Sequence, residues 1–195
     1  MMQTVIVVLV LAAGGGRRFL GPTHKLDAVV NGRTVLRHAV DSAAASAVGP
    51  VIVVSADHVK TALPAGVTRI VNDDWRDGQM SSLRVGLAAA GERNARSVVI
   101  GLGDQPFVRP DAWASVAAAA SAIAVATYDG QRGHPVKLDH RTWELLPAAG
   151  DEGARTLMRL RPDLVSEVPC QGSPTDVDTL EDLRRWQNNS STSSP

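Results

Sequence analysis

Five short apolar runs, rich in β-branched residues, recur along the chain and are separated by segments with helical periodicity. Their hydrophobicity is continuous rather than alternating, which is typical of strands that helices cover on both faces. We therefore predict an α/β fold with a single doubly wound, mostly parallel sheet. The predicted strands are Thr4–Leu11, Val51–Ser55, Val67–Val71, Ser97–Leu102 and Ile123–Thr127.

The segments between these runs predict helices on both faces of the sheet. Residues 129–138 break the alternation and predict a hairpin, with Gly130 and Gly133 as turn residues. No linker or internal repeat divides the chain, so we predict one domain over residues 1–189. We expect the polar residues 190–195 to be a disordered tail. The predicted helices are Thr34–Ala47, Met80–Gly91, Asp111–Ala120 and Arg155–Arg161.

The composition excludes several classes of protein. The net charge is zero, with 20 Lys and Arg against 20 Asp and Glu, and this removes the attraction that non-specific nucleic-acid binding needs. The apolar run at residues 4–13 is too short to span a bilayer and has no Lys or Arg before it, so we expect neither a membrane span nor a signal peptide. Cys170 has no second cysteine to pair with, which predicts a cytoplasmic protein.

A glycine-rich segment with basic residues follows the first predicted strand. Its sequence is Leu11-Ala-Ala-Gly-Gly-Gly-Arg-Arg-Phe-Leu-Gly-Pro-Thr-His-Lys25. Glycines let backbone N–H groups approach an anion, and Arg18 and Lys25 are suited to neutralise phosphate charge. The alternative is a surface turn without a ligand. A Walker loop does not fit because Pro22 follows Gly21, and a dinucleotide fingerprint fits poorly because Phe19 stands where its third small residue belongs.

Two acidic motifs lie further along the chain. Asp104, in Gly103-Asp-Gln-Pro106, follows the predicted strand at residues 97–102. A carboxylate at that edge faces the glycine-rich segment and is suited to Mg²⁺; the alternative is an Asp that caps the turn. Asp176 and Asp178 share a face if their segment is extended. The alternative there is that Asp178 or Thr179 caps a helix that begins near Leu180.

Together these motifs resemble those of the MobA-like nucleotidyltransferase family, and specifically its molybdenum cofactor cytidylyltransferase branch. The resemblance covers nearly the whole chain, in order. It implies a Rossmann-like nucleotide-diphospho-sugar transferase fold. The supporting motifs are Leu11 to Lys25, Gly78-Gln-Met-Ser-Ser-Leu-Arg84, Gly103-Asp-Gln-Pro106, Gly133-His-Pro-Val136, Gly150-Asp-Glu-Gly-Ala-Arg155 and Asp176-Val-Asp-Thr179.

The resemblance implies a role for each motif. Arg18, Lys25 and Asp104 are expected to be catalytic. Asp104 and Asp178 are expected to bind Mg²⁺, with Asp176 as a further candidate. The residues implied to bind the nucleotide are Leu11, Ala12, Ala13, Gly14, Gly15, Gly16, Arg18, Lys25, Ser81, Ser82, Arg84 and Asp104. Those implied to bind the acceptor are Gln105, Pro106, Gly133, His134, Pro135, Asp151, Gly153 and Arg155.

The implied reaction is the transfer of CMP from CTP to the phosphate of a molybdopterin-type molybdenum cofactor, with release of pyrophosphate. Ala12 and Ala13 match the family form that is associated with CTP rather than GTP. A molybdenum hydroxylase apoenzyme is a further implied partner. The alternatives are another phosphorylated acceptor, such as a sugar phosphate or phospholactate, and a non-enzymatic protein that delivers the cofactor. One departure is the spacing of Arg18 and Lys25, which is seven residues here and commonly five in relatives.

Several of these residues also have purely structural explanations. Ser81 and Ser82 suit the start of a helix, and His134 suits a solvated turn. The tryptophans are expected to pack helices against the sheet. Cys170 is expected to be a small, semi-buried residue rather than a nucleophile.

Overall fold

The structure is a computed structural model that describes residues 5–16, 18–150 and 152–191. Within these ranges the strands are β1 (Ile6–Ala12), β2 (Val29–Val30), β3 (Arg33–Thr34), β4 (Val51–Ser55), β5 (Thr68–Val71), β6 (Ser97–Leu102), β7 (Ile123–Tyr128), β8 (Gln131–Asp139) and β9 (Val165–Pro169). The α-helices are α1 (Val35–Ala45), α2 (Gln79–Glu92), α3 (Pro110–Ala118), α4 (Arg155–Leu160) and α5 (Leu180–Ser191).

The central sheet has seven strands in the order β5-β4-β1-β6-β8-β7-β9. Each pair of neighbours is parallel except the two that include β8, which runs antiparallel to both β6 and β7. β2 and β3 form a separate antiparallel pair. The predicted mostly parallel α/β sheet is therefore confirmed.

Two apolar layers hold helices against opposite faces of this sheet. One layer combines α1, α3 and α5 with one side of the strands, and the other combines α2 and α4 with the opposite side. In α1 the buried residues are spaced to form one face, and the Thr34 side chain caps the helix by accepting the Arg37 N–H at 3.2 Å. The predicted coverage of both faces is thus present.

The predicted hairpin is formed by β7 and β8. Asp129 and Gly130 both have positive φ angles, of 50° and 78°, as the two central residues of a tight hairpin turn require. Gly133 is not a turn residue, contrary to the prediction. It lies within β8, where a Cβ would stand 2.8 Å from Pro174 Cβ, so its small size permits close packing.

Two further features differ from the sequence-based prediction or extend it. β9 was not predicted, because Ser166 and Glu167 interrupt its apolar pattern at the sheet edge. α5 extends to Ser191, and residues 192–195 lie outside the described part, so the predicted boundary at residue 189 stays a prediction.

None of the helices in the described ranges has the length and apolar character needed to cross a membrane.

Candidate active site

The glycine-rich and acidic motifs meet at one edge of the sheet. β1 and β6 are parallel neighbours, so the loops that follow them leave the sheet side by side. The Gly103 N–H donates to the Leu11 carbonyl at 2.8 Å, which joins the two loops where they begin. The glycine loop, defined here as residues 13–24, therefore starts beside Asp104.

Lys25 lies at the centre of a cluster of charged side chains. Its Nζ donates to Asp104 Oδ2 at 2.5 Å and to Asp178 Oδ1 at 2.7 Å. Arg18 Nη2 donates to the second Asp178 oxygen, Oδ2, at 2.6 Å. The Lys25 side chain is only 10% exposed, whereas that of Arg18 is 78% exposed. A buried ammonium thus bridges two carboxylates, and a guanidinium reaches the same cluster from the solvent side.

The protonation state of Lys25 follows from this pairing. Burial by itself lowers the pKa of a lysine, because it penalises the charged form. Here the charge of Asp104 and the hydrogen bonds to Asp104 and Asp178 outweigh burial and raise the pKa of Lys25 above its usual value. Lys25 is therefore a permanent cation at neutral pH.

His24 holds the glycine loop in place. Its Nδ1 accepts the Leu26 N–H at 3.3 Å, so Nε2 carries the proton and donates to the Gly14 carbonyl at 3.0 Å. Burial and the nearby His58 ring lower the pKa of His24, which favours this neutral form. Gly16 has a φ of 58°, and a Cβ there would stand 2.9 Å from His24 Nε2. The ring therefore packs where only a glycine leaves room.

A carboxylate clamp positions the turn that carries Lys25. Asp27 Oδ1 accepts hydrogen bonds from the N–H and the hydroxyl of Thr61, both at 2.6 Å, and Asp27 Oδ2 accepts the Lys60 N–H at 3.0 Å. These bonds fasten the turn at Lys25–Asp27 to the loop after β4. Lys25 reaches both carboxylates in spite of its seven-residue spacing from Arg18.

Asp178 reaches the site because the chain before α5 docks on the loop after β6. The Val177 N–H donates to the Asp104 carbonyl at 2.9 Å, and Val177 is buried in the core. Gln105 Nε2 donates to Asp176 Oδ1 at 2.7 Å. Asp176 and Asp178, on either side of Val177, therefore contact residues of the site, as expected for an extended segment.

The helix cap at α5 is provided by other residues. The Asp182 carboxylate accepts the Thr179 N–H at 2.9 Å, and Thr179 Oγ1 accepts the Asp182 N–H at 3.1 Å. This reciprocal pair is a capping box, and its hydrogen bonds lower the pKa of Asp182. Of the two capping alternatives, Thr179 is the one observed, and the Asp178 carboxylate binds Lys25 and Arg18.

A cavity of about 420 Å³, here called the glycine-loop cavity, lies beside the charged cluster. Trp75 forms one wall; its ring lies 5.0 Å from that of His58 and 4.5 Å from the Arg76 guanidinium carbon. Ser82 is buried in the wall, and its hydroxyl accepts a hydrogen bond from Asn72 at 3.0 Å. The lining residues are Leu11, Ala13, Gly14, Gly15, Trp75, Arg76, Gly78, Gln79, Ser82, Leu102 and Asp104.

A second cavity, of about 310 Å³, adjoins the first and is here called the His134 cavity. Its floor is apolar, with Leu83, Ile100 and Val125, and its rim carries Arg132, Arg155 and Arg159. Leu11 and Gln79 line both cavities. The remaining lining residues are Gly133, His134, Val136, Glu152, Gly153, Ala154 and Met158.

His134 is neutral in this setting. Burial, reinforced by the positive charge of Arg155, lowers its pKa to about 4. The Tyr128 hydroxyl donates to the His134 carbonyl at 2.8 Å and holds its backbone. The expected turn position is therefore wrong, because His134 lies within β8, where its half-buried, uncharged ring lines the cavity.

Comparisons with known proteins decide the family. The model of the MobA-like NTP transferase domain matches residues 8–168. The chain belongs to the MobA-like NTP transferase family. It is therefore a nucleotidyltransferase, and the predicted family is confirmed.

Individual proteins also align with this chain over almost its full length. Nicotine blue oxidoreductase of Paenarthrobacter nicotinovorans is 30% identical over 194 residues, which cover 91% of this chain and 94% of that protein. The structure of Rv0371c from Mycobacterium tuberculosis H37Rv is 31% identical, with a TM-score of 0.81 over 96% of this chain and 100% of that one. A manganese complex of the same Mycobacterium protein is 30% identical, with a TM-score of 0.76 over 95% and 98% of the two chains.

The structure brings most of the residues implied by the MobA-like motifs to these two cavities or to the charged cluster beside them. The charged cluster consists of Arg18, Lys25, Asp104 and Asp178. Ala12 is the last residue of β1, and Gly16 lies in the glycine loop against His24. Pro106 and Pro135 lie next to site residues along the chain without lining either cavity. Asp151 lies outside the described residues.

Three predicted residues make contacts of a structural kind. Ser81 Oγ donates to the Gly78 carbonyl at 2.9 Å, at the start of α2. Arg84 is exposed and donates to the Pro147 carbonyl at 3.0 Å, away from the lining of both cavities. Gln105 braces the segment that carries Asp176. Their implied roles in binding stay predictions.

The sequence reasoning missed several lining residues. Trp75 was expected to pack a helix against the sheet, as Trp113 does, but it forms a wall of the glycine-loop cavity. Gln79 belongs to the motif Gly78-Gln-Met-Ser-Ser-Leu-Arg84, whose implied roles fall on Ser81, Ser82 and Arg84 instead. Trp75 lies just before α2 and Gln79 is its first residue, and this position at the carboxyl edge of the sheet is the signal that points to them.

Proposed function

We propose that this nucleotidyltransferase transfers CMP from CTP to the phosphate of a molybdopterin-type molybdenum cofactor and releases pyrophosphate. The observation that carries the proposal is a pair of adjoining cavities of different character. The glycine-loop cavity, with Asp104 and neighbouring cations, suits a nucleoside triphosphate. The His134 cavity, with an apolar floor and an arginine rim, suits a heterocycle that bears a phosphate.

The choice of CTP and molybdopterin within this general activity rests on the sequence motifs. Ala12 and Ala13 match the form associated with CTP, and the motifs around His134 and Gly153 match the molybdenum cofactor branch. Gly133, His134, Gly153 and Arg155 line one cavity, which supports a common role in binding the acceptor. A cytoplasmic location and delivery to a hydroxylase apoenzyme are further parts of the proposal.

The reaction needs alignment and charge neutralisation rather than a nucleophilic side chain. An oxygen of the acceptor phosphate attacks the α-phosphorus and forms a new P–O bond. The bond from the α-phosphorus to the bridging oxygen breaks, and its electron pair leaves with pyrophosphate. Lys25 and Arg18 stabilise the negative charge that builds on the leaving group, and the backbone N–H groups of Gly14 and Gly15 hold the triphosphate.

Asp104 and Asp178 fit a divalent cation. Their carboxylates converge on one point, since Lys25 Nζ contacts both. Mg²⁺ commonly takes one or two carboxylates and completes its shell with phosphate oxygens and water. No cluster of three or more His, Cys, Asp or Glu suited to a metal occurs in the described residues. The manganese complex of the Mycobacterium relative supports such a metal, and the cation when bound neutralises phosphate charge.

The test is to incubate the purified chain with Mg²⁺, α-labelled CTP and molybdenum cofactor, and to measure labelled dinucleotide and pyrophosphate. Asp104→Ala is expected to lower the rate by about 100-fold or more, because a charge-stabilising group is lost. Asp163→Ala, which changes an exposed carboxylate paired with Arg161, is the matched control. Product with GTP only, or with a sugar phosphate or phospholactate only, would overturn the substrate assignment. Delivery of the cofactor to a hydroxylase without turnover would favour the non-enzymatic alternative.

A second candidate comes from the Paenarthrobacter nicotinovorans relative, which is named as an oxidoreductase of nicotine blue. The glycine loop departs from a dinucleotide fingerprint at Phe19, and that side chain is buried. A counter-screen for oxidoreductase activity follows the absorbance of nicotine blue with NADH or NADPH. Turnover of the dye without nucleotidyl transfer would replace the proposal.

A further inference from the structure

Gln79 lies at the junction between the two cavities. Among the described residues, only Leu11 and Gln79 line both cavities. Of these two, Gln79 is the one with a polar side chain. Its Oε1 lies 3.2 Å from where a Cβ would stand on Gly153, so the carboxamide reaches the loop before α4. On the other side it shares the glycine-loop cavity with Gly14 and Asp104.

The junction is where the transferred group has to lie. If the triphosphate occupies the glycine-loop cavity and the acceptor occupies the His134 cavity, the attacking oxygen and the α-phosphorus meet between them. A carboxamide suits this position because its N–H₂ group donates to phosphoryl oxygens without a net charge. A carboxylate there would repel both phosphates, and a lysine or arginine would hold the product phosphate after transfer.

We propose that the Gln79 carboxamide binds the α-phosphoryl group and aligns it with the acceptor phosphate. This role rests on the proposed function for the arrangement of the two substrates. It does not depend on the identity of the nucleobase or of the acceptor. Gln79 thereby acts on the transfer step, while Lys25, Arg18 and the glycine loop bind the triphosphate.

The direct test is ³¹P NMR of bound nucleotide. The α,β-methylene analogues of CTP, GTP, ATP and UTP are each added with Mg²⁺ to the wild-type chain and to Gln79→Met, which keeps side-chain length and removes hydrogen bonding. We expect the α-phosphorus resonance to differ between the two proteins while the γ-phosphorus resonance stays the same. Gln131→Met, at the exposed start of β8, is the matched control and should leave both resonances unchanged.

The kinetic test uses the full reaction with CTP and molybdenum cofactor. Gln79→Met is expected to lower kcat by about 100-fold and to change the affinity for CTP by less than about twofold, since removing a donor used in the transition state mainly affects kcat. Gln79→Glu should lower kcat further. An unchanged α-phosphorus resonance, or a loss confined to CTP affinity, would overturn the role of Gln79.

The two proposals fail in different ways. If the wild-type chain binds an analogue but forms no molybdenum cofactor dinucleotide, the proposed acceptor is wrong and the NMR comparison still decides the role of Gln79. If none of the four analogues binds, both proposals are overturned.

Discussion

Lys25 binds the same two carboxylates that are proposed to hold a divalent cation. Its ammonium contacts Asp104 and Asp178 from a largely buried position. Two cations cannot share these oxygens at hydrogen-bond distance without strong repulsion. The lysine and a metal ion are therefore competitors until a triphosphate draws the lysine toward its own oxygens.

This competition predicts the behaviour of Lys25→Met toward Mn²⁺. Without nucleotide, the variant should bind Mn²⁺ at least about tenfold more tightly than the wild type, because a charged hydrogen bond worth roughly 1.5–3 kcal/mol no longer has to be displaced. Electron paramagnetic resonance titration of free Mn²⁺ measures this. Lys60→Met, at an exposed lysine, is the control. Equal Mn²⁺ affinity in Lys25→Met and wild type would contradict the competition.

His134 predicts a pH dependence of stability. Its pKa is about 4 in the folded chain and about 6.5 when unfolded. Between these values the unfolded chain binds more protons, so stability falls as the pH is lowered from about 6.5 to about 4. The loss from this group is at most about 3 kcal/mol.

Urea unfolding at pH 7 and pH 4.5 checks this prediction. His134→Gln should lose less stability than the wild type between the two pH values, because the variant has no imidazole to protonate on unfolding. His140→Gln, which changes a half-exposed histidine, should behave like the wild type. A pH dependence that is the same in His134→Gln and wild type would show that the ring is accessible to protons in the folded state.

At the scale of elements, β6 and α3 pack at a contact that only glycine permits. A Cβ on Gly101 would overlap Trp113 Cη2, and Trp113 is fully buried. This contact lies on β6, the strand that leads directly to Asp104.

The matched pair Gly101→Ala and Gly91→Ala tests this packing. Gly101→Ala should lower the free energy of unfolding by about 1–3 kcal/mol through overpacking. Gly91 lies within α2, where a Cβ meets only Trp143 at 4.0 Å, so Gly91→Ala should be neutral or stabilise by up to about 1 kcal/mol. Chemical denaturation measures both. Similar effects from the two substitutions would mean that Trp113 can move aside.

At the scale of the whole molecule, the site joins segments that are far apart in the chain. The Lys25–Asp178 pair spans 153 positions, and Asp104 comes from between them. A ligand that binds all three segments therefore stabilises only the folded chain.

This arrangement predicts a thermal shift. With CTP and Mg²⁺ at about 100 times the dissociation constant, the Tm should rise by about 5–10 °C for a chain of this size. Differential scanning fluorimetry measures the shift. CTP with EDTA should give a smaller rise, and Asp178→Asn should lose most of it while Asp163→Asn keeps it. An equal rise with EDTA would contradict metal-assisted binding.

Local patterns were sufficient to predict much of this fold. The strands β4 and β6 have the bounds expected from the sequence, because continuous β-branched runs between turn residues are a local signal. β9 was not foreseen, since an edge strand buries only part of its surface. The place of β8 between β6 and β7 also depends on which strands pair, and hydrophobic periodicity carries no information on pairing.

By itself, the sequence determined the order of elements, the glycine and acidic motifs and the family, because each of these depends on neighbours along the chain. Only the tertiary structure decided that Lys25 spans Asp104 and Asp178 despite its longer loop, that Thr179 rather than Asp178 caps α5, and that His134 is half-buried and neutral. It also decided that Gln79 stands between two cavities. These outcomes depend on distances and burial across the sheet edge, which arise only when segments remote in sequence pack together.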